Sequence, residues 1–228
     1  IVEDSCEAML ATFEDRPVGS WGDIACFSTY SAHLLVTGVG GMATTNNADY
    51  AKVMRSLVNH GIDLAELPNG EQYDPSWLAR KFRFTRIGHS FRVTEIEAAI
   101  GVTQLQDLPA AIAKRRENAQ YLNGRLAPLA IQLMLPHTHE RATHSWMVYP
   151  LVLNEGSKWP LMRHLQQYGI ECREMMPLTC QPCYRFREDD YPVAKWVNKG
   201  GVYLPTHQEL TRVQLDYMVD VIGEYFER

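Results

Sequence analysis

Apolar and polar positions come in short blocks over the first 45 residues and then lengthen into helical periods. "IVED", "DIACFSTY" and "GGMATT", starting at Ile1, Asp23 and Gly40, are brief apolar runs bounded by Gly and Asp, the texture of strands in an α/β sheet. Asn47 is placed to cap a helix from about Ala48 through Val58, with "NHG" as its stop and Gly61 suited to the C′ position. Asp63 to about Arg86 is polar and punctuated by Pro68-Asn69-Gly70 and Asp74-Pro75, which predicts a long excursion. Thr94 can cap a further helix whose apolar positions Ile96, Ala99, Ile100, Val102 and Leu105 run until Pro109, where the missing N–H predicts an interruption. A second amphipathic helix is expected from Ala110 to about Leu126, carrying the basic run Lys114, Arg115 and Arg116.

From Pro136 to His144 the periodicity gives way to Thr, Glu and the histidines His137, His139 and His144. The boundary between a domain of residues 1–136 and a small domain of residues 137–228 is placed there. Beyond it, "HSWMVYPLVL" reads as a strand, "SKWPLMRHLQQYG" as a helix capped by Ser157 and stopped by Gly169, and "IECREM" as another strand. "LTRVQLDYMVDVIGEYF" closes the chain as an amphipathic helix with Thr211 as its cap. No internal repeat is present.

The bulk numbers narrow the function classes. With 228 residues the chain can bury a sizeable core and hold two lobes. Its 22 Lys plus Arg against 27 Asp plus Glu give a net charge of -5, which argues against nucleic-acid binding, since phosphate neutralisation needs a basic surface. No apolar run approaches the roughly 20 residues of a membrane span, and "IVEDSCEAML" lacks the basic start of a signal peptide, so no membrane partner and a cytoplasmic location are expected. The cysteines Cys6, Cys26, Cys172, Cys180 and Cys183 are odd in number and scattered, as free thiols are. "CQPC" has CxxC spacing but no second pair to complete a zinc site, and the three histidines have no acidic partner fixed by spacing. No metal is expected. With no initiator Met and an apolar-then-acidic start, the chain reads as the later part of something longer.

One histidine stands where the first strand signals stop, in "FSTYSAHLLVTGVGG" (Phe27 to Gly41). Beside Leu34, Leu35 and Val36, which favour a buried β segment, His33 reads by pattern alone as a satisfied core residue. The wider order of blocks changes that reading. Val-Glu-Asp at a strand end, Gly19-x-x-Gly22-Asp23, Phe27-Ser28-x-Tyr30 and Thr37-Gly38-x-Gly40-Gly41 resemble the DegT/DnrJ/EryC1/StrS family of pyridoxal-phosphate sugar aminotransferases and dehydratases. The resemblance continues through "RSLVNHGID", "IGHSFRVTEIEAAIGVTQL", "RRENAQYL" and "GIECREMMPLTCQPCY", covering essentially the whole chain.

The resemblance implies a fold: α/β, the later part of a fold-type-I large domain followed by a small α+β C-terminal domain. It also implies pyridoxal or pyridoxamine 5′-phosphate as cofactor. The electron sink of that cofactor needs its ring nitrogen kept protonated by a carboxylate, the place that Asp4 takes by resemblance. Glu7 stands near the place of a polar residue by the ring hydroxyl, and Ser28 matches the hydroxyl that bonds the cofactor phosphate. Ser90 lies where many members carry an asparagine that reaches the neighbouring subunit's cofactor phosphate. Gly38, Gly40 and Gly41 read as permitting close backbone packing.

Five residues after that serine, the family's aminotransferases carry the lysine that binds the cofactor covalently; here residue 33 is His. Imidazole cannot make the stable link that a primary amine makes, so lysine-relayed transamination should fail while proton transfer remains open to it. The replacement resembles the nucleotide-sugar 3-dehydratases, in which the histidine serves as the base for loss of the 3-hydroxyl from a 4-keto-6-deoxyhexose. The implied partners are a nucleotide-linked sugar, glutamate and a second copy in a homodimer. One dehydratase branch carries an iron–sulfur cluster; Cys6 occupies one comparable place, but Asn59 to Trp77 contains no cysteine, so no cluster is expected. A sugar aminotransferase and a non-catalytic dimerisation or binding module are the alternatives.

Overall fold

The computed structural model describes residues 1–62 and 82–227, so residues 63–81 of the expected excursion lie outside the described residues. The chain is α/β and divides into two compact units, Ile1–Pro109 and Ala110–Arg228.

In the first unit, β1 (Val2–Asp4) pairs in parallel with a strand from Ile24 to Ser28, which pairs antiparallel with one from Gly41 to Thr44. Between the first two lies a hairpin of β2 (Thr12–Phe13) and β3 (Arg16–Pro17), so the strands Ile24–Ser28 and Gly41–Thr44 are β4 and β5. Glu14 and Asp15 turn that hairpin with φ of 49° and 59°, the left-handed pair that suits a two-residue turn. The glycine turn before β4 is clasped by Glu3, whose carboxylate accepts the amides of Gly19, Trp21 and Gly22. Gly19 has a φ of 91°, and a Cβ there would lie 2.4 Å from the Phe27 ring.

Helix α1 (Ala48–Val58) starts as expected, with Asn47 Oδ1 accepting the amides of Asp49 at 2.9 Å and Tyr50 at 3.1 Å. Its end differs by one residue. His60, with a φ of 61°, takes the left-handed C′ position, and Gly61 follows it at 80°. The Gly61 amide reaches back to Ser56 O at 2.8 Å, closing the turn. Glycine is required there because a Cβ would lie 1.9 Å from Arg86 O.

Helix α2 (Glu95–Leu126) is one continuous helix, which corrects the expected interruption at Pro109. Proline removes a single backbone bond, and the turns on either side are anchored by buried Leu108 and Ile112. Thr94 and Glu97 cap its start reciprocally, Thr94 N donating to Glu97 Oε2 at 2.7 Å. The second half of α2 belongs to the second unit, and Arg115 within it is buried, donating to Gln208 Oε1 and to the carbonyls of Trp146 and Met147.

The second unit is built on an antiparallel sheet of β6 (Leu133–Met134), β7 (Val148–Leu153), β8 (Arg173–Glu174) and β9 (Gly201–Pro205), in the order β6-β7-β9-β8. Helices α3 (Lys158–Gln167), α4 (Pro192–Gly200) and α5 (Arg212–Phe226) complete it. Ser157 caps α3, Gly169 ends it at a φ of 73°, and Thr211 forms a capping box with Gln214 on α5, all at expected places. Leu122, Leu126, Tyr149, Leu165, Leu204 and Ile222 meet in the core. The region around His144 is tied down: His144 Nδ1 accepts the Trp146 amide at 2.8 Å, and the two rings lie 4.5 Å apart.

Candidate functional site

The register of the small sheet brings part of the expected site together. Asp4 lies opposite Cys26, and Ser28 opposite Gly41. Side chains alternate along a strand, so Asp4, Cys26 and Ser28 share one face at the ends of β1 and β4. Asp4 is exposed, and its Oδ1 accepts the Cys6 amide at 3.3 Å. Hydrogen bonds from Cys6, with the nearby charge of His33 as a smaller cause, hold the Asp4 carboxyl below the usual carboxylate range. Ser28 Oγ accepts the Tyr30 amide at 3.2 Å, which leaves its own proton available to an acceptor.

The chain then folds into a strapped loop that carries His33. Thr29 N donates to Gly40 O at 3.0 Å, Thr37 N to Thr29 O at 2.8 Å, and the two threonine hydroxyls meet at 2.7 Å. Gln104 of α2 pins the loop by receiving the Val36 amide at 3.0 Å. The run Leu34 to Val36, read from its pattern as a buried β segment, is a bend in which only Leu35 is buried. His33 N donates to Tyr30 O at 2.9 Å, and its ring meets Tyr30 edge-on, with centroids 6.4 Å apart. Its Nδ1 is buried without a hydrogen-bond partner, so His33 is not the satisfied core residue that pattern alone suggests.

Glu7 is exposed just beyond β1. Its charge adds to the causes, burial first and then Asp4, that push the Cys6 thiol up to about 11. Ser90 lies apart from the Asp4–Ser28 face. It lines a pocket of about 540 Å³ with Phe27 and Met42, whose side chains alternate with Ser28 and therefore point to the opposite face of the sheet. Sequence reasoning passes over two groups, Glu3 and Arg92. Glu3 could have been found by asking which acceptor serves the amides of the Gly19–Gly22 turn; Arg92 carries no comparable signal.

The profile of the DegT/DnrJ/EryC1/StrS aminotransferase family matches residues 1–223. The chain belongs to this family. It is 32% identical over 229 residues to a GDP-perosamine synthase of Caulobacter vibrioides, an overlap of 98% of this chain and 58% of that protein. It is 26% identical over 240 residues to a GDP-4-keto-6-deoxy-D-mannose 3-dehydratase of Escherichia coli O55:H7, covering 97% of this chain and 60% of the relative. The solved structure of the E. coli GDP-4-keto-6-deoxy-D-mannose-3-dehydratase with bound hydrated PLP superimposes with a TM-score of 0.81 at 25% identity, covering 97% of this chain and 59% of that one. The chain thus spans about three-fifths of the length of these relatives.

Proposed function

We propose that the chain is the part of a pyridoxal- or pyridoxamine-phosphate-dependent nucleotide-sugar 3-dehydratase that carries its proton-transfer base, His33. The substrate is a nucleotide-linked 4-keto-6-deoxyhexose. One observation supports the reading: His33, which by resemblance takes the place of the family's lysine, sits on a loop strapped beside the Asp4–Ser28 face with a buried and unbonded Nδ1. A buried orphan of this kind costs about 1–3 kcal/mol and is expected where a bound group completes the site.

The residues present fit the cofactor. Asp4, held as a carboxylate, would partner its ring nitrogen; Ser28 would donate to its phosphate; Glu7 would lie by its ring hydroxyl, and Ser90, on the other face, would reach the cofactor phosphate of a neighbouring subunit. When bound, the cofactor supplies an electron sink for the carbon next to the sugar's keto position. His33 cannot hold it covalently, so binding rests on these polar contacts. His33 would take the proton, and the charge it gains would face Asp4. The Thr29–Thr37 strap and Gln104 hold the loop that carries that ring, and the proton it takes would be handed to the sugar's 3-hydroxyl as that group leaves as water. Glutamate as amino donor, a homodimer and a cytoplasmic setting belong to the same reading.

The 32% identity to a GDP-perosamine synthase favours a second reading, a sugar aminotransferase. Borohydride reduction of the full-length protein with pyridoxal phosphate, followed by peptide mass spectrometry, separates the two. The dehydratase reading expects no trapped adduct in the wild type and one at residue 33 in His33→Lys. A stable adduct on a wild-type lysine would favour the aminotransferase.

A further inference from the structure

We propose that Cys6 is the positioning residue of Asp4: its amide and its thiol both donate to that carboxylate, holding it charged and in one orientation for a cationic partner. The backbone places the thiol. Directly after β1 the chain turns back over β4, with Ser5 N donating to Cys26 O at 2.9 Å and Ala8 N to Ser5 O at 3.0 Å. Cys26 is the register partner of Asp4, so a residue folded over Cys26 lies beside the Asp4 side chain. Asp4 Oδ1 accepts the Cys6 amide at 3.3 Å, the local bond by which an Asp side chain closes a turn two residues on.

The thiol has two acceptors in reach. Cys6 Sγ lies 3.8 Å from Cys26 O, at the long end for a sulfur donor, and that carbonyl already receives the Ser5 amide. The Asp4 carboxylate, being charged, is the stronger acceptor. The bond from the Cys6 thiol is the first cause, ahead of the Cys6 amide, that holds the Asp4 carboxyl below its usual range, and His33 adds a smaller attraction. Burial first, and then the same bond, push the thiol up to about 11, with the charges of Asp4, Cys26 and Glu7 adding to it, so the thiol keeps its proton at neutral pH and remains a donor. Asp4 is exposed, and a partner that covers it strips water from the carboxylate and disfavours its charge. Donors from a neighbouring residue offset that loss and stay in place as the partner arrives. The cationic partner is the protonated ring nitrogen of the cofactor, so the use of the bond rests on the function proposed above, while the bond itself does not.

Carbon-13 NMR of the Asp4 carboxyl in full-length protein freed of cofactor, together with calorimetric titration by pyridoxamine phosphate, tests it. Cys6→Ala keeps the amide bond and loses the thiol. The Asp4 midpoint should rise, and pyridoxamine phosphate should bind about three- to tenfold more weakly, the scale of one hydrogen bond from a weak donor to a charged group. Cys6→Ser, which restores a donor, should return the midpoint toward wild type and the affinity to within about twofold of it. Combined with Asp4→Asn, Cys6→Ala should weaken binding no further, because the thiol acts through the carboxylate. An unmoved Asp4 midpoint in Cys6→Ala would overturn the proposal, as would equal weakening by Cys6→Ala with and without Asp4→Asn. A raised midpoint alongside unchanged affinity in both Cys6→Ala and Asp4→Asn would instead overturn the place of Asp4 at the ring nitrogen and leave the Cys6–Asp4 bond standing.

Discussion

Replacing His33 by phenylalanine should stabilise the protein while removing the proposed base. The buried, unbonded Nδ1 costs the folded state about 1–3 kcal/mol, because water bonds it in the unfolded chain and nothing does in the fold. A phenyl ring occupies similar space without that nitrogen. It keeps the edge-on contact with Tyr30, at 6.4 Å between centroids, which is worth about 0.5–1.5 kcal/mol in either variant. Against this stands the lost attraction to the exposed Asp4, at most about 1 kcal/mol. The balance is a gain of about 1 kcal/mol, or roughly 2–4 °C in the thermal midpoint for a chain of this size. Thermal and urea unfolding of wild type and His33→Phe, side by side, would measure it. A loss of 1 kcal/mol or more would refute the reasoning, since it would mean that the imidazole is bonded and structural.

Two further outcomes follow from charges in the fold. Lys158, with its side chain 3% exposed, meets Glu174 at 2.8 Å and Met175 O at 3.3 Å, so Glu174→Gln strands a buried ammonium and should cost about 1–3 kcal/mol in urea unfolding. Lys158→Met, which removes the charge and keeps the apolar stem, should change stability by less than about 1 kcal/mol; a larger loss than for Glu174→Gln would contradict the asymmetry. The Gly22, Gly19 and Trp21 amides hold the Glu3 carboxyl below its usual range despite some desolvation, so its contribution is present above that range and fades as pH falls through the lowered value. Glu3→Gln should therefore lower the thermal midpoint at pH 7, and the gap from wild type should narrow under acid; parallel curves from pH 7 to pH 3 would show that the clasp is not carboxylate-dependent.

Elements with a cap and a stop were legible in the sequence because the caps act locally. Asn47, Ser157, Thr211 and Gly169 each mark an end that the structure keeps. The hairpin at Phe13–Arg16 was not, because Glu14 and Asp15 adopt left-handed angles without the Asn-Gly signal that usually announces such a turn. Strand β9 and helix α4 are not legible, since in "PVAKWVNKGGVYLP" a helix of 9 residues runs directly into a strand of 5 with no residue between them. The pattern of "HSWMVYPLVL" predicts a strand from its start, whereas Trp146 turns left-handed at a φ of 50° and pairing begins at Val148. "IECREM" likewise predicts a longer strand than the structure has, pairing only at Arg173–Glu174. Arg115 belongs to a basic run by sequence, yet its carbonyl partners lie around residues 146–147, which only folding brings near.

The same contrast holds at the site. Asp4 and Ser28 sit at strand ends where a two-residue alternation puts them on one face, a relation within reach of sequence reasoning. The state of His33 depends on the strap of Thr29, Thr37 and Gln104, from segments 4 to 71 residues away, so its unbonded nitrogen could only be seen in the fold.

Product analysis tests the central claim most directly. The full-length protein, given pyridoxamine phosphate, glutamate and a guanosine-diphosphate-linked 4-keto-6-deoxyhexose, is expected to yield a sugar that has lost its 3-hydroxyl, and His33→Phe none. A 4-amino sugar with the 3-hydroxyl retained would contradict the account and make the protein an aminotransferase.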